Sequence, residues 1–227
     1  MRVKICGITT ADDGRAAVEA GADAVGLNFV GGPRRIEPEQ AEIILAALPP
    51  FVVPVALVRL ERERVPDALR ALLADWGVRT IQVYGPLGTD GLAGLLDDGW
   101  RVMPVLAVRN ERFTEQTADW RMQEGSTARP AAIVLDAYDD QREGGTGKTF
   151  CWQWVRAARD AGRLAGWAPI VLAGGLHPGN VAEAVRVVQP YAVDVSSGIE
   201  VDGAPGRKDP DKMRQFVHNA KHAEVAQ

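Results

Sequence analysis

A chain of 227 residues with 46% apolar content is long enough to bury one substantial hydrophobic core. Its 26 basic and 30 acidic side chains leave a net charge of −4, which offers no broad basic face to nucleic acid or to a membrane surface. Two cysteines, Cys6 and Cys151, make neither a disulfide scaffold nor a metal knuckle; no apolar run spans a bilayer and the start MRVKICG carries no secretory pattern, so a cytoplasmic protein with reduced thiols is expected.

Short apolar runs alternate with longer helix-like stretches. The first run, VKICGI (3–8), leads into TADDGRAAVEAG, which opens on Thr and Asp and closes on Gly21, as a helix does. A second strand, ADAVGLNFV (22–30), is followed by a loop (31–35) and by PEQAEIILAAL, with Pro38 at its helix start. FVVPVALV (51–58) reads as a third strand although Pro54 interrupts it. An amphipathic helix, RVPDALRALLADWG, precedes strand four, VRTIQVY (78–84), and a short glycine-interrupted helix near 92–97. WRVMPVLAV (100–108) is strand five, with the less regular NERFTEQTADWRM after it. AAIVLD (131–136) is strand six, followed by the polar AYDDQREGGTGK and a helix near 150–161. APIVLAGG (168–175), HPGNVAEAVRVV, YAVDVSSG (191–198) and DPDKMRQFVHNAKHA supply strand seven, a helix, strand eight and a last helix.

Eight such units, with strands that are apolar on both faces, fit a single (β/α)₈ TIM barrel across residues 1–227. A doubly wound open sheet is the alternative. In a barrel, chemistry gathers at the C-terminal ends of the strands. The residues found there are Cys6; Asn28 with Arg34 and Arg35 in its loop; Gln82 and Tyr84; Asp136; Gly174 and Gly175; and Asp194, Ser196, Ser197 and Gly198.

AGG and DVSSG, on consecutive late strands, present small residues whose backbone N–H groups suit an oxyanion, and together they point to a phosphorylated small molecule. GGTGKT (144–149) is not a P-loop, because Arg142 stands where its first glycine belongs; it reads as a loop over the mouth or as a plain solvated connection. Asp136, after a buried run, is either a general acid with a raised pKa or a loop aspartate. Cys6 is either core or a thiolate at the mouth; its neighbour Lys4 shares its strand face, but its layer is not legible. Cys151, among Phe150, Trp152 and Trp154, reads as structural. Arg34 or Arg35 suits a substrate carboxylate or simply meets water. His177, His218 and His222 form no metal cluster, and the tryptophans read as packing.

With these residues in view, the sequence resembles the phosphoribosylanthranilate isomerases of tryptophan biosynthesis. The matching segments are KICGIT (4–9), GADAVG (21–26), PRRI (33–36), IVLD (133–136), GGTGKTF (144–150), LAGGLHPGNV (172–181), AVDVSSGIE (192–200) and GRKD (206–209), in family order and over nearly the whole chain. The resemblance implies a cofactor-free barrel isomerase that turns N-(5′-phosphoribosyl)anthranilate into 1-(2-carboxyphenylamino)-1-deoxy-D-ribulose 5-phosphate by an Amadori rearrangement. It implies that Cys6 is the general base, Asp136 the general acid, Arg34 the partner of the anthranilate carboxylate and Asp194 that of its amine. Phosphate would then rest on the amides around Gly174, Gly175, Ser196 and Ser197, with Gly198 in the same turn. Gly7 reads as room for the ribose.

The chain departs from the family pattern at Asn28, Gly32, Tyr84 (usually histidine) and Cys151 (usually aspartate). The alternatives are the related isomerase of histidine biosynthesis, a dual-substrate enzyme, and a non-catalytic phosphosugar-binding barrel. Apolar helix faces do not tell a monomer from a homodimer.

Overall fold

The computed structural model describes residues 1–120, 129–137 and 149–223. Eight parallel strands pair in chain order: β1 (Arg2–Cys6), β2 (Ala24–Asn28), β3 (Val53–Arg59), β4 (Thr80–Tyr84), β5 (Arg101–Val108), β6 (Ile133–Ala137), β7 (Ile170–Leu172) and β8 (Ala192–Val195). β8 pairs back onto β1, so the sheet is a closed barrel and the open doubly wound alternative fails.

The helices are α1 (Ala11–Glu19), α2 (Pro38–Ala46), α3 (Asp67–Asp75), α4 (Thr89–Asp97), α5 (Gln153–Asp160), α6 (Val181–Val188) and α7 (Pro210–Lys221). Between β5 and β6, where the sequence is irregular, a 3₁₀ helix (Phe113–Trp120) stands in an α-helix's place. A second 3₁₀ turn, Ser197–Ile199, follows β8. None of the described helices is long and apolar enough to cross a membrane.

Local signals set the helix ends. The Thr10 side chain accepts a hydrogen bond from the Asp13 N–H at 3.1 Å and caps α1. Asp209 Oδ1 accepts from the N–H groups of Asp211 (2.9 Å) and Lys212 (3.1 Å), ahead of Pro210 in the first turn of α7.

Pro54 lies inside β3 without breaking it. Val53 donates its N–H to Asp23 on the β2 side. Successive N–H groups alternate sides along a strand, so the nitrogen of Pro54 faces β4, and that ladder begins only at Val55.

Outward side chains of the strands pack beneath the helices, as Val3, Ile5 and Val193 do near Met213 and Phe216 of α7. Trp76 stacks on Phe29 at 6.2 Å and Trp167 meets Phe113 edge-on at 6.0 Å, which is the packing role expected of tryptophan. Inside the barrel Val55, Met103, Val134, Val171 and Ala192 form an apolar cluster. Other buried positions along the strands are polar: Lys4, Gln82 and Asp194, each no more than 6% exposed.

Phe216, fully buried on α7, tests how firmly the last helix seals the barrel. Phe216→Ala is expected to cost about 3–5 kcal/mol, through lost burial and the cavity left behind, read as a lowered urea midpoint.

Candidate active site

A cleft of about 940 Å³ opens at the C-terminal ends of the strands. Cys6, Asn28, Leu57, Arg59, Gln82, Tyr84, Asp136, Ala173 and Asp194 all line it. Where two of these come from one strand they are two residues apart, so the period-two alternation of the strands builds its walls. Asn28 shapes the loop that follows it: its Oδ1 accepts from the Val30 N–H and its Nδ2 donates to the Gly31 carbonyl, both at 2.8 Å.

Lys4 lies one inward position below Cys6 on β1, level with Asp194 on β8. Lys4 Nζ donates to Asp194 Oδ2 at 2.8 Å with both side chains buried. Asp194 Oδ1 is also buried and has no hydrogen-bond partner among the described residues. Burial works against the charge of Lys4, but Asp194 and Cys6 more than offset it and hold the ammonium above the ordinary lysine range. Burial pushes the Cys6 thiol up; Lys4 and, more weakly, Lys208 pull it back, while the Asp194 carboxylate adds to the rise. The thiol therefore holds its proton more tightly than an ordinary cysteine does.

Asp136, half-buried on β6, is pushed up to about 6, first by burial and then by the Asp194 carboxylate. Its Oδ1 accepts from the Ala137 N–H at 2.8 Å, which limits the rise. Tyr84 is driven well above the usual phenol range by burial and by the charges of Cys6, Asp136 and Asp194. Gln82 Nε2 donates to the Tyr84 hydroxyl at 2.9 Å. Gln82 Oε1 is buried without a partner among the described residues.

Gly174, Gly175, Ser196 and Ser197 line the same cleft, with the 3₁₀ turn Ser197–Ile199 immediately after β8. Among the described residues no acceptor takes the N–H of Gly175 or Ser197. Gly198 does not line the cleft: a Cβ there would lie 2.0 Å from the Leu176 carbonyl oxygen, so this glycine lets the loops after β7 and β8 interlock. Asn180 braces that junction, accepting from the His177 N–H at 2.8 Å and donating to the Gly175 carbonyl at 3.0 Å.

Gly7 needs a different explanation from the one its sequence suggests. Its φ is +72°, and a Cβ would lie 2.6 Å from Arg34 Cδ and 3.1 Å from Ser196 Oγ. The space beside its Cα is taken by the protein's own side chains, and Gly7 itself lines the cleft.

Arg34 reaches the cleft with one edge of its guanidinium engaged. Nε and Nη2 bond to the two carboxylate oxygens of Glu200 at 2.7 and 2.8 Å. Glu200 also accepts from Lys208 Nζ at 3.0 Å, and Lys208 donates to the Ser196 carbonyl at 3.0 Å. Burial favours a neutral Glu200, but Arg34 and Lys208 outweigh it and hold the carboxyl below the ordinary range. Neither Glu200 nor Lys208 figures among the sequence candidates, although both lie inside quoted motifs, DVSSGIE and GRKD. Arg59, at the end of β3, is a further cleft residue missed from sequence.

Cys151 is exposed just ahead of α5, so the packing role expected of it does not hold. The GGTGK segment proposed as a loop over the mouth lies outside the described residues. No group of His, Cys, Asp and Glu among the described residues could hold a metal ion.

Three comparisons bear on this site. The model of the family described as N-(5′-phosphoribosyl)anthranilate (PRA) isomerase matches residues 3–219. The N-(5′-phosphoribosyl)anthranilate isomerase of Trichlorobacter lovleyi is 44% identical over 224 residues, covering 98% of this chain and 99% of that protein. Among solved structures, the phosphoribosyl anthranilate isomerase of Thermotoga maritima superposes with a TM-score of 0.81 at 37% identity, covering 97% of this chain and 98% of that one. A phosphoribosyl anthranilate isomerase in complex with reduced 1-(o-carboxyphenylamino)-1-deoxyribulose 5-phosphate gives 0.77 at 34% identity, with the same coverage.

The raised pKa of Asp136 has a stability consequence. A carboxyl that binds its proton more tightly when folded favours the fold fully below the ordinary aspartate range, and that advantage is lost as pH rises through about 6. The rise of roughly two units corresponds to ~3 kcal/mol at most, and solvent access at a half-buried site reduces it to ~2 kcal/mol. Asp136→Asn keeps the Oδ1 acceptor without the charge. It is expected to be more stable than the parent by about 2 kcal/mol at pH 8 and equal to it near pH 3.5, in urea titrations at both values.

Proposed function

The chain belongs to the N-(5′-phosphoribosyl)anthranilate isomerase family, and on that premise we propose that it carries out the Amadori rearrangement of N-(5′-phosphoribosyl)anthranilate with Cys6 as general base and Asp136 as general acid. The observation that carries this reading is that the two groups line one cleft from strands three apart in the ring, with Asp136 pushed up to about 6. A carboxyl with that pKa keeps a protonated fraction near neutral pH and so can donate.

The chemistry follows from these groups. Protonated Asp136 donates to the furanose ring oxygen as the anilino nitrogen's lone pair opens the ring to an iminium ion. The cation acidifies the C2′ proton, and the Cys6 thiolate removes it. The enolamine that results tautomerises to the ketone. In that last step the enol oxygen gives up its proton and C1′ takes one, so product and substrate are isomers, and the proton gained by Cys6 offsets the one given by Asp136.

The remaining cleft residues support the same substrate. The Gly174–Gly175 and Ser196–Ser197 amides suit its phosphate, near a short helical turn after the last strand. Arg34, steadied by Glu200, presents its outer edge to the anthranilate carboxylate. Asp194 Oδ1, without a hydrogen-bond partner among the described residues, supports a role as acceptor for the amine.

Cys6→Ala and Asp136→Asn are each expected to lower kcat by roughly 10²–10⁴-fold, the usual worth of a general base or acid. Binding of a reduced product analogue should survive in both. Wild-type turnover in either variant removes that residue from its role.

The active form, Asp136 protonated and Cys6 ionised, carries the same number of protons as the commoner reverse form. The profile of kcat/KM is therefore expected to rise through about pH 6 and fall above the raised thiol pKa. A profile that instead declines above pH 6 would show that no thiol limb is in play.

A further inference from the structure

The inner side chains of β1 and the small residue facing them on β2 form an arrangement that the proposed mechanism leaves unused. Cys6 sits level with Gly26 on β2, and Lys4 lies one inward position below it. A Cβ on Gly26 would lie 2.7 Å from Cys6 Sγ and 3.2 Å from Lys4 Nζ, so the sulfur and the ammonium flank one small gap. The same Nζ is anchored at 2.8 Å to Asp194 Oδ2, with lysine and aspartate both buried. A residue needed only to neutralise Asp194 would not have to border the thiol as well.

We propose that Lys4 is a positioning residue that serves as counter-ion to the Cys6 thiolate, and that Gly26 is the opening that lets sulfur and ammonium meet. When Cys6 ionises, its proton passes to solvent through the open cleft and the negative sulfur is left beside Nζ. Asp194 keeps that nitrogen in place from the far side. An opposite charge at this range favours the ionised form, and burial beneath the cleft keeps water from screening it. The other charges acting on the thiol are Asp194 on β8, which opposes ionisation, and Lys208 beyond β8, which assists it more weakly. The Asp136 and Tyr84 side chains face the same cleft from β6 and β4.

The catalytic meaning of this arrangement rests on reading Cys6 as the base, but its test does not. The quantity to measure is the pH midpoint for alkylation of Cys6 by iodoacetamide, resolved from exposed Cys151 by peptide mass. Lys4→Met is expected to raise that midpoint by about one unit or more, a tenfold loss of thiolate.

Because Lys4→Met leaves Asp194 buried and unpaired, a second comparison removes both charges. Lys4→Met/Asp194→Asn should titrate at least about one unit above Asp194→Asn alone. Gly26→Ala, which retains the ion pair but crowds the gap, should also raise the midpoint. Equal midpoints with and without Lys4 in the Asp194→Asn background would overturn the proposal and leave Lys4 as a partner of Asp194 only. If the midpoints move as expected while Cys6→Ala still turns over substrate, the base role falls and the ion pairing stands.

Discussion

The Lys4–Asp194 ion pair joins the first strand to the last, at the seam where the barrel closes, and most of the cleft is arranged around it. A buried ion pair is a poor device for stability, since desolvating both charges cancels much of their attraction. Apolar side chains at the same two positions would extend the apolar interior below them. The polar layer makes better sense as the floor of a site. Its charges act upward on Cys6, Asp136 and Tyr84, each of which responds to the Asp194 carboxylate. The seam of the sheet and the electrostatics of the cleft thus share the same two residues.

Above this floor the loops are held by close backbone approaches and by one buried network. Gly7 gives way to Arg34 and Ser196, Gly174 to Ala137 and Asp136, and Gly198 to Leu176. At each place a methyl group would meet its nearest neighbour at 2.0–2.6 Å, so the loops after β1, β2, β7 and β8 and the end of β6 fit only as a set. Glu200 then links Arg34 on one side to Lys208 on the other, and Lys208 reaches the Ser196 carbonyl. Through this chain Arg34, the proposed partner of the substrate's carboxylate, is tied to the turn proposed to hold its phosphate. On that proposal the two ends of the substrate would meet parts of one hydrogen-bonded assembly, which favours a fixed distance between them.

Much of this was legible in the sequence because its causes are local. Apolar runs at regular spacing, a capping threonine at Thr10 and a proline at the start of α2 and α7 set the β/α alternation, and the strand-end rule then collects Cys6, Asp136 and Asp194 at one mouth. What was not legible depends on neighbours distant in the chain. The contact of Lys4 with Asp194 requires the β1–β8 register, and the role of Gly26 requires the level of β2 against β1. Glu200 looks like an ordinary acidic residue until Arg34, 166 residues away, is seen to close on it. Cys151 was misread for the opposite reason: its aromatic neighbours suggested a core, but it precedes the helix and faces solvent.

Burial at the cleft poses a problem that its charges resolve unevenly. Removing water raises a carboxyl and a thiol alike, which suits an acid and hinders a base. Asp136 meets a further negative charge from Asp194, with only its neighbouring N–H and the more distant Lys4 in opposition, so its rise is kept. Cys6 meets Lys4 and Lys208, so part of its rise is undone. What remains would, on the proposed mechanism, be opposed by the substrate itself. Ring opening as proposed would place a cation on the nitrogen next to the carbon that must lose its proton. A thiol whose rise is partly undone by Lys4 and Lys208 would ionise most readily beside that cation, which is where the proposed chemistry requires its charge.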